Sequence, residues 1–366
     1  MKSRILGIAT AVPAYEYSGE DSARLALSLL PEGSRIAPML RHVYRNAGIE
    51  RRRSVLPDFG APPEGRILFP PSPDYRPEPS TASRNAIYTV EAPRLALSAV
   101  GSLFDRLGCG PEGVTHLVTA SCTGFSAPGW DYELLRDLPL RASTGRFNIG
   151  FMGCFASFPA LRLADHIVRS EPGARVLVVA LELCSLHYAL DASPDALVAN
   201  ALFADGAAAA LVAAEDAAAG GPRPRLAIGP FASRVLPGTA DEMAWTIGET
   251  GFGMRLSSGV ARSLGRAAPQ LVAGLVEAGG KSADIAHWAV HPGGRAILDA
   301  FESALQLPPT ALGHSRGVLR DHGNMSSPTV LFVLERMLEE GRPGTVFASA
   351  FGPGLTAEAC LMELEA

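Results

Sequence analysis

The sequence predicts an α/β protein built from two similar halves. In the first half, residues 115–121 and 174–181 form apolar, β-branched runs of the kind found in buried strands, and residues 155–170 between them show a helical period. The second half repeats this layout: strand-like runs lie at 287–291 and 345–351, and a helical stretch lies between them at 326–340. Such a repeat predicts two similar α/β layers related by a pseudo-twofold axis.

The spacing of polar residues supports the duplication. Ser121 precedes Cys154 by 33 residues, and His291 precedes Asn324 by 33 residues. In both halves the first residue ends a predicted strand and the second comes before a predicted helix. Loops where strands end and helices begin are the usual location of α/β active sites, so these positions are candidates for one.

Composition excludes several classes of protein. The chain has 366 residues, of which 47% are hydrophobic and 19% charged, so it can bury a large core and is not a disordered protein. Its net charge of −5 argues against a broad nucleic-acid-binding surface. We therefore expect no nucleic-acid partner.

The cysteines and the apolar runs narrow the class further. Five cysteines without a Cys-x-x-Cys pair argue against a disulfide scaffold and against a zinc site, and we expect no metal. The N-terminus lacks the long apolar region and small-residue cleavage site of a signal peptide. Because no apolar stretch of about 18 residues is free of charges and turn residues, we expect a cytoplasmic protein without a membrane span.

Two segments interrupt the α/β pattern. Residues 55–80 are rich in proline, which predicts an irregular, partly extended loop. Residues 214–224 form a polar, Gly/Pro-rich connector after an apolar strand. We place the boundary between the halves there, giving a first half, 1–218, and a second half, 219–366.

Cys154 is the candidate nucleophile. It lies in GFMGCFASF, between a short apolar strand and a helix. The unpaired N–H groups at a helix N-terminus favour the thiolate, which an ordinary thiol with a pKa of about 8.5 forms poorly at neutral pH. A buried structural cysteine is the alternative, and it is the interpretation we favour for the other four cysteines.

His291 and Asn324 are the candidate partners of the thiol. His291, in AVHPGGRAIL, follows a strand end, where it can pair with a thiolate or donate a hydrogen bond to a carbonyl oxygen. Asn324, in DHGNMSSPT, opens a helix, where an amide can hold a developing enolate oxygen without accepting its proton. Taken alone, an asparagine before a helix is usually only an N-cap.

These motifs resemble those of the type III polyketide synthases, the chalcone-synthase-like branch of the thiolase fold. The resemblance includes FGPGLT (351–356), SCTGFSAPG (121–129) and VANALFADGAAAALV (198–212), and the bacterial members look most similar. It implies a thiolase-like fold in which two duplicated βαβ halves form a five-layered αβαβα core. It also implies a homodimer.

The resemblance further implies a chemistry. Cys154 takes an acyl group from a starter acyl-CoA, while His291 and Asn324 hold the thioester carbonyl of malonyl-CoA as it loses carbon dioxide. The enolate then attacks the cysteine-bound acyl group in repeated Claisen condensations, and the chain closes as a pyrone, a resorcinol or a phloroglucinol. Malonyl-CoA and a starter acyl-CoA are the substrates, and no cofactor is required.

Other positions take their expected roles from the same resemblance. Phe203 matches one gatekeeping residue, and Met254 matches the second unless the alignment slips by two residues to Phe252. Arg41 and Arg45, four residues apart on one helix face, match basic positions at the mouth of the CoA tunnel. The positions expected to line the elongation and cyclisation cavities are Cys122, Thr123, His187, Ser326, Gly352, Pro353 and Gly354.

Three alternatives remain open on the sequence. A ketoacyl synthase that starts fatty-acid synthesis shares the Cys-His-Asn set but condenses once, onto an acyl carrier protein. A papain-like hydrolase has the same residue order but carries a CGSCW-type signature, which is absent here. A catalytically silent subunit is disfavoured because the Cys-His-Asn set is complete.

Overall fold

One continuous mixed sheet organises the molecule. The computed structural model describes residues 2–30, 33–191, 193–215, 224–279 and 284–365. Its strands are β1 (Ser3–Ala11), β2 (Tyr15–Ser18), β3 (Arg51–Ser54), β4 (His116–Ser121), β5 (Gly145–Gly150), β6 (Arg175–Leu183), β7 (Asp205–Ala214), β8 (Arg225–Val235), β9 (Met243–Gly248), β10 (Gly251–Leu256), β11 (Ile285–Val290), β12 (Gly344–Gly352) and β13 (Thr356–Glu365). Nine of these form the main sheet in the order β11-β12-β13-β8-β1-β7-β6-β4-β5, while β9–β10 form a hairpin and β2–β3 a separate two-stranded sheet.

The sheet is the sum of two equivalent halves. In the first half β4 runs parallel to β6, and β7 and β1 follow in antiparallel pairings. In the second half β11 runs parallel to β12, and β13 and β8 follow in the same way. The halves join where β1 pairs with β8, and β5 extends the first half by one edge strand. This matched order is what the duplicated sequence pattern predicts.

Helices cover both faces of each half. Along the described chain they are α1 (Gly19–Ser28), α2 (Ala37–Asn46), α3 (Thr81–Leu107), α4 (Trp130–Asp137), α5 (Ser157–Ser170), α6 (Pro194–Leu202), α7 (Val260–Ala278), α8 (Arg295–Leu305), α9 (Gly313–His322) and α10 (Thr329–Glu340). None of these helices is both long and apolar enough to cross a membrane.

The core consists of three apolar layers. Successive residues of β6 point to opposite faces: Val178 packs in the central layer with α5 and α10, and Leu177 packs in an outer layer with α3. The second half behaves likewise, because Val346 of β12 enters the central layer and Phe347 packs against α7 and α8. The helix and strand layers therefore alternate as αβαβα, as the resemblance implied.

The proline-rich segment 55–80 is irregular, as predicted, yet it is firmly held. The buried carboxylate of Asp58 accepts hydrogen bonds from the backbone N–H groups of Ile67, Leu68 and Phe69. The guanidinium of Arg66 lies 3.5 Å from the ring centre of Tyr75. The boundary proposed between residues 218 and 219 lies outside the described residues and stays a prediction.

Candidate active site

Cys154 lies in a tight turn between β5 and α5. The turn is a short 3-10 segment, Gly153–Phe155, and α5 begins three residues after the cysteine, at Ser157. Gly153 adopts φ +72°, and a Cβ built there would lie closer than 3.0 Å to Cδ of Pro353. Glycine is therefore required both by the backbone conformation and by the close approach of the C-terminal loop.

His291 follows the C-terminal end of β11, and its side chain has no hydrogen-bond partner within the described chain. Its backbone N–H donates to the carbonyl of Ser349 at 2.8 Å, which fixes the main chain. The side chain is buried, and neither Nδ1 nor Nε2 has a hydrogen-bond partner. Burial lowers the pKa of His291 to about 3, so the imidazole is neutral. A buried, unpaired polar ring facing a cavity is suited to receive a polar group of a ligand.

Asn324 is held where the two halves meet. Its backbone N–H donates to the carbonyl of Leu202 and its carbonyl accepts from the N–H of Ala204, both at 2.9 Å. Its side-chain Oδ1 accepts from the N–H of Ser326 at 2.8 Å, and Nδ2 donates to the carbonyl of Gly293 at 3.2 Å. An amide nitrogen carries two hydrogens, so one N–H remains for a ligand.

These three residues line one cavity of about 320 Å³. The structure thus brings together Cys154, His291 and Asn324, which lie far apart in the chain. Cys154 and His291 follow the carboxyl ends of β5 and β11, whereas Asn324 lies between α9 and α10. Cys154 and Asn324 occupy equivalent positions of the two halves. Within the described residues, no group of three or more His, Cys, Asp or Glu side chains is placed to hold a metal ion.

The resting charge state of Cys154 differs from what its position before a helix predicts. Burial raises the pKa of the thiol to about 11, although Ser326 and Asn324 lower it in part. The helix itself begins only at Ser157, and the thiol is enclosed by the protein. The structure therefore holds a neutral thiol and a neutral imidazole in the same cavity, and not a preformed ion pair.

A buried carboxylate that sequence reasoning missed organises the cavity wall next to Cys154. Glu182 of β6 accepts hydrogen bonds from the N–H of Cys122 at 2.9 Å, from the hydroxyls of Thr123 and Ser327 at 2.8 and 2.7 Å, and from the Cys122 thiol at 3.3 Å. The Cys122 sulfur also lies 3.8 Å from the Ser326 hydroxyl. Burial raises the pKa of Glu182 above its ordinary value. A single acidic residue inside an otherwise apolar strand was the available signal.

His187 joins this wall to the β9–β10 hairpin. Its Nε2 donates to the carbonyl of Thr123 at 2.8 Å, and its Nδ1 accepts from the N–H of Phe252 at 3.0 Å. Its ring stacks on that of Phe252 with centres 4.1 Å apart, while the Trp245 indole N–H donates to the carbonyl of Cys122 at 2.7 Å. Burial lowers the pKa of His187 to about 4, which keeps the ring neutral.

The predicted gate and cyclisation residues surround the same cavity. Phe203 lines it, and its carbonyl accepts from the Arg52 guanidinium at 3.0 Å. Met254 and Phe252 both line the cavity because residues two apart on β10 share a face. The remaining predicted cavity residues divide: Cys122, Thr123, His187, Ser326 and Pro353 line it, whereas Gly352 and Gly354 flank Pro353 in the adjoining turn.

The predicted CoA-binding arginines lie apart from this cavity. Arg41 and Arg45 are exposed on α2 and are not among the cavity-lining residues. Arg45 instead lines a separate surface pocket with Arg316 and Arg320. The arginines that line the main cavity are Arg52 and its neighbour Arg53.

Two family models match most of the chain. The N-terminal domain model of the chalcone and stilbene synthases matches residues 70–216, and the C-terminal domain model matches residues 230–364. The first match includes residues 70–80, the end of the proline-rich segment. These matches do not favour the ketoacyl synthase alternative.

Individual proteins show the same similarity. The 3,5-dihydroxyphenylacetyl-CoA synthases of Streptomyces toyocaensis and Amycolatopsis balhimycina are each 32% identical over 99% of this chain, covering 90% and 93% of their own lengths. PKS-I of the brown alga Ectocarpus siliculosus superposes with a TM-score of 0.91 at 30% identity, over 99% of this chain and 98% of its own. The C-terminal type III polyketide synthase domain of Steely1 from Dictyostelium gives a TM-score of 0.91 at 25% identity, over 100% of both chains.

Proposed function

Since the chain belongs to the chalcone and stilbene synthase family of type III polyketide synthases, we propose that Cys154, His291 and Asn324 are its catalytic residues. Family membership makes it an acyltransferase that decarboxylates malonyl-CoA and condenses the product with a bound acyl group. Its substrates are CoA thioesters, and this chemistry needs no further cofactor. The observation that carries the assignment is the unpaired His291 ring, which shares a cavity with Cys154 and the free Asn324 N–H.

Loading of the starter begins from the neutral pair. The Cys154 sulfur attacks the thioester carbonyl of the starter acyl-CoA while its proton passes to a ring nitrogen of His291. A bond from sulfur to the acyl carbon forms, the bond from that carbon to the CoA sulfur breaks, and CoA leaves as a thiol after taking the proton back. Because burial disfavours both charged forms, the ion pair exists only during transfer, when each charge stabilises the other.

Decarboxylation uses the two donors that remain. The thioester carbonyl of malonyl-CoA accepts hydrogen bonds from the His291 ring and from the free Asn324 N–H. As carbon dioxide leaves, the electrons of the broken C–C bond move onto this oxygen, where the fixed donors stabilise the enolate. The enolate carbon then attacks the acyl group on Cys154, a C–C bond forms, and the C–S bond to Cys154 breaks.

The assignment is tested by incubating the purified protein with malonyl-CoA and a panel of acyl-CoA starters. We expect products heavier than the starter by two-carbon ketide units, and acylated protein of the corresponding mass. Cys154→Ala abolishes both, and Asn324→Ala retains acylation but loses malonyl-CoA decarboxylation by at least about 100-fold. His291→Gln slows both acylation and decarboxylation, because this ring also takes the proton of the thiol during loading. Cys109→Ala, an exposed cysteine outside the cavity, is the matched control and keeps full activity.

We further propose that the product carries a resorcinol-type ring. The printed name of the 32% identical relatives describes a 3,5-dihydroxyphenyl group, which is such a ring. Proton NMR of the isolated product distinguishes a resorcinol from a pyrone or a phloroglucinol. A pyrone as sole product would refute this proposal and leave the reaction class intact.

Arg41 and Arg45 remain our candidates for the CoA phosphates. Both lie on one exposed face of α2. We expect Arg41→Ala combined with Arg45→Ala to raise the KM for malonyl-CoA several-fold with kcat unchanged. An unchanged KM would direct attention to Arg52 and Arg53.

The protein is also proposed to act as a homodimer in the cytoplasm. Strand β5 is an edge of the nine-stranded sheet, and Phe147 on it is 41% exposed. Phe125 and Phe151 nearby are 52% and 39% exposed, so a large aromatic surface adjoins an open strand edge. Pairing of this edge with that of a second copy would cover both. Light scattering should give twice the chain mass, and Phe147→Asp should shift the mass toward the monomer.

A further inference from the structure

We propose that Arg52 is a positioning residue of the condensing site, because it holds the turn between α6 and β7 to which the main chain of Asn324 is bonded. This role rests on the proposed function, in which Asn324 donates to the enolate oxygen. Arg52 acts on that donor through the main chain and needs no contact with the substrate, although it lines the same cavity.

The guanidinium of Arg52 caps the C-terminal end of α6. The last carbonyl groups of a helix have no partner within the helix, and the helix dipole favours a cation beside them. The Nη1 atom of Arg52 carries two hydrogens, and it donates to the carbonyl of Asn200 at 2.5 Å and to that of Phe203 at 3.0 Å. Asn200 lies in the last turn of α6, and Phe203 is the first residue after the helix. One nitrogen therefore fixes both the end of α6 and the turn that follows it.

This turn also holds the main chain of Asn324. The residues on either side of Phe203 provide both bonds: the carbonyl of Leu202 accepts from the N–H of Asn324, and the N–H of Ala204 donates to the carbonyl of Asn324, each at 2.9 Å. Phe203 and Asn324 thereby form an isolated parallel bridge outside the sheets. A displacement of the turn therefore displaces Asn324 as well.

The aliphatic stem of Arg52 contacts the chain on the other side of this bridge. A Cβ built on Gly323, the residue before Asn324, would lie 3.1 Å from Cγ and 3.2 Å from Cδ of Arg52. The Arg52 side chain thus touches both segments that meet at the bridge, with its stem at Gly323 and its guanidinium at Phe203. Loss of the guanidinium would remove the hydrogen bonds that hold one of these segments in place.

The strand that carries Arg52 is fixed independently of its side chain. Before β3, the N–H of Glu50 donates to the carbonyl of Arg320 in α9 at 2.8 Å. After β3, the N–H of Val55 donates to the buried carboxylate of Asp205, the first residue of β7, at 2.8 Å. Arg52 is therefore presented from a rigid base. Because neither anchor uses the guanidinium, its removal should leave the fold intact and loosen only the turn.

Arg52→Met keeps an unbranched stem, removes the donors and is the first test. Two partial reactions are measured separately: acylation of Cys154 by a starter acyl-CoA alone, and conversion of malonyl-CoA to acetyl-CoA and carbon dioxide. We expect acylation to be retained, because no bond from this turn holds the main chain of Cys154. We expect kcat for decarboxylation to fall at least about tenfold while KM changes less than about threefold, since a donor displaced by roughly 1 Å can lose about 100-fold in rate.

Two further variants complete the test. Arg51→Met is the matched control: this exposed neighbour on β3 pairs with Asp321 at 3.6 Å, and its loss should leave both reactions unchanged. Arg52→Lys keeps a cation with three hydrogens and should give an intermediate kcat at an unchanged KM, which also decides the question if Arg52→Met does not fold.

Three outcomes would contradict these expectations. A raised KM with an unchanged kcat would place Arg52 in substrate binding and overturn the inference. Acylation and decarboxylation lowered in equal proportion would indicate general damage to the fold and would overturn it as well. Absence of malonyl-CoA decarboxylation by the unmodified protein would instead refute the proposed function.

Discussion

Replacing Gly153 by alanine tests how closely the turn that carries Cys154 is fitted to the C-terminal loop. At φ +72° an alanine costs about 1–2 kcal/mol. Its Cβ would also approach Cδ of Pro353 closer than 3.0 Å, and overpacking of this kind costs about 1–3 kcal/mol. We therefore expect the free energy of unfolding to fall by about 2–5 kcal/mol. A displacement of the thiol by roughly 1 Å should lower kcat/KM about 100-fold.

Two further glycines serve as controls, one for the conformational cost and one for a substitution with neither cost. Gly354 has φ +70° and open space around its Cβ position, so Gly354→Ala incurs the conformational cost alone, about 1–2 kcal/mol. Gly173 lacks both a left-handed φ and a close neighbour, so Gly173→Ala should leave stability equal or slightly higher.

Urea denaturation measures the free energies of unfolding of these variants, and CoA release with malonyl-CoA measures the rates. If Gly153→Ala loses no more stability than Gly354→Ala and keeps its rate, the contact with Pro353 has no importance and the reasoning fails. Equal m values across the series are needed for the comparison, because a changed m would indicate a changed unfolded or native state.

Three more predictions concern buried ionisable side chains. Burial raises the pKa of Cys154 to about 11. Alkylation of this thiol by iodoacetamide in the absence of substrate should therefore accelerate about tenfold per pH unit between pH 7 and 9. A rate that does not depend on pH would indicate a resting thiolate. Burial lowers the pKa of His187 to about 4 from an ordinary value near 6.5. The stability linked to this site is therefore present above pH 6.5 and is lost as the pH falls toward 4. In that window, His187→Gln should remove about 1.4 kcal/mol per pH unit from the slope of unfolding free energy against pH, measured by urea denaturation. Asp58→Ala leaves three backbone N–H groups without their acceptor, of which that of Phe69 is buried, and should cost about 1–3 kcal/mol. A loss below about 0.5 kcal/mol in the same measurement would show that water replaces the carboxylate.

Much of the fold could be predicted from the sequence, because local patterns of apolar residues determine where its strands and helices form. The apolar runs predicted as strands at 174–181 and just before residue 214 correspond to β6 and β7. The equal spacing in the two halves corresponds to their matching strand orders. The same equivalence explains why Cys154 and Asn324 could be paired in advance. Both precede a central helix, and the packing of those helices brings their N-terminal ends to one cavity.

What the sequence did not predict depends on long-range contacts. The position of Cys154 before a helix suggested a thiolate, but the enclosure that favours the thiol comes from elements far along the chain. Glu182 was overlooked because its donors Cys122 and Ser327 come from different loops. The two hydrogen bonds by which His187 links Thr123 to Phe252 could not be predicted for the same reason, since they depend on the register of the hairpin that carries Phe252.

The strand order also governs when the enzyme can first act during its synthesis. Strand β13 lies between β12 and β8 in the interior of the sheet, so the sheet is complete only after β13 has been synthesised. A ribosome adding about 5–20 residues per second needs roughly 10–30 s to travel from Cys154 to Asn324. During that interval the proposed nucleophile exists without the residues that we propose generate the enolate. A nascent chain that has not yet reached Asn324 and β13 should therefore be unable to start polyketide synthesis.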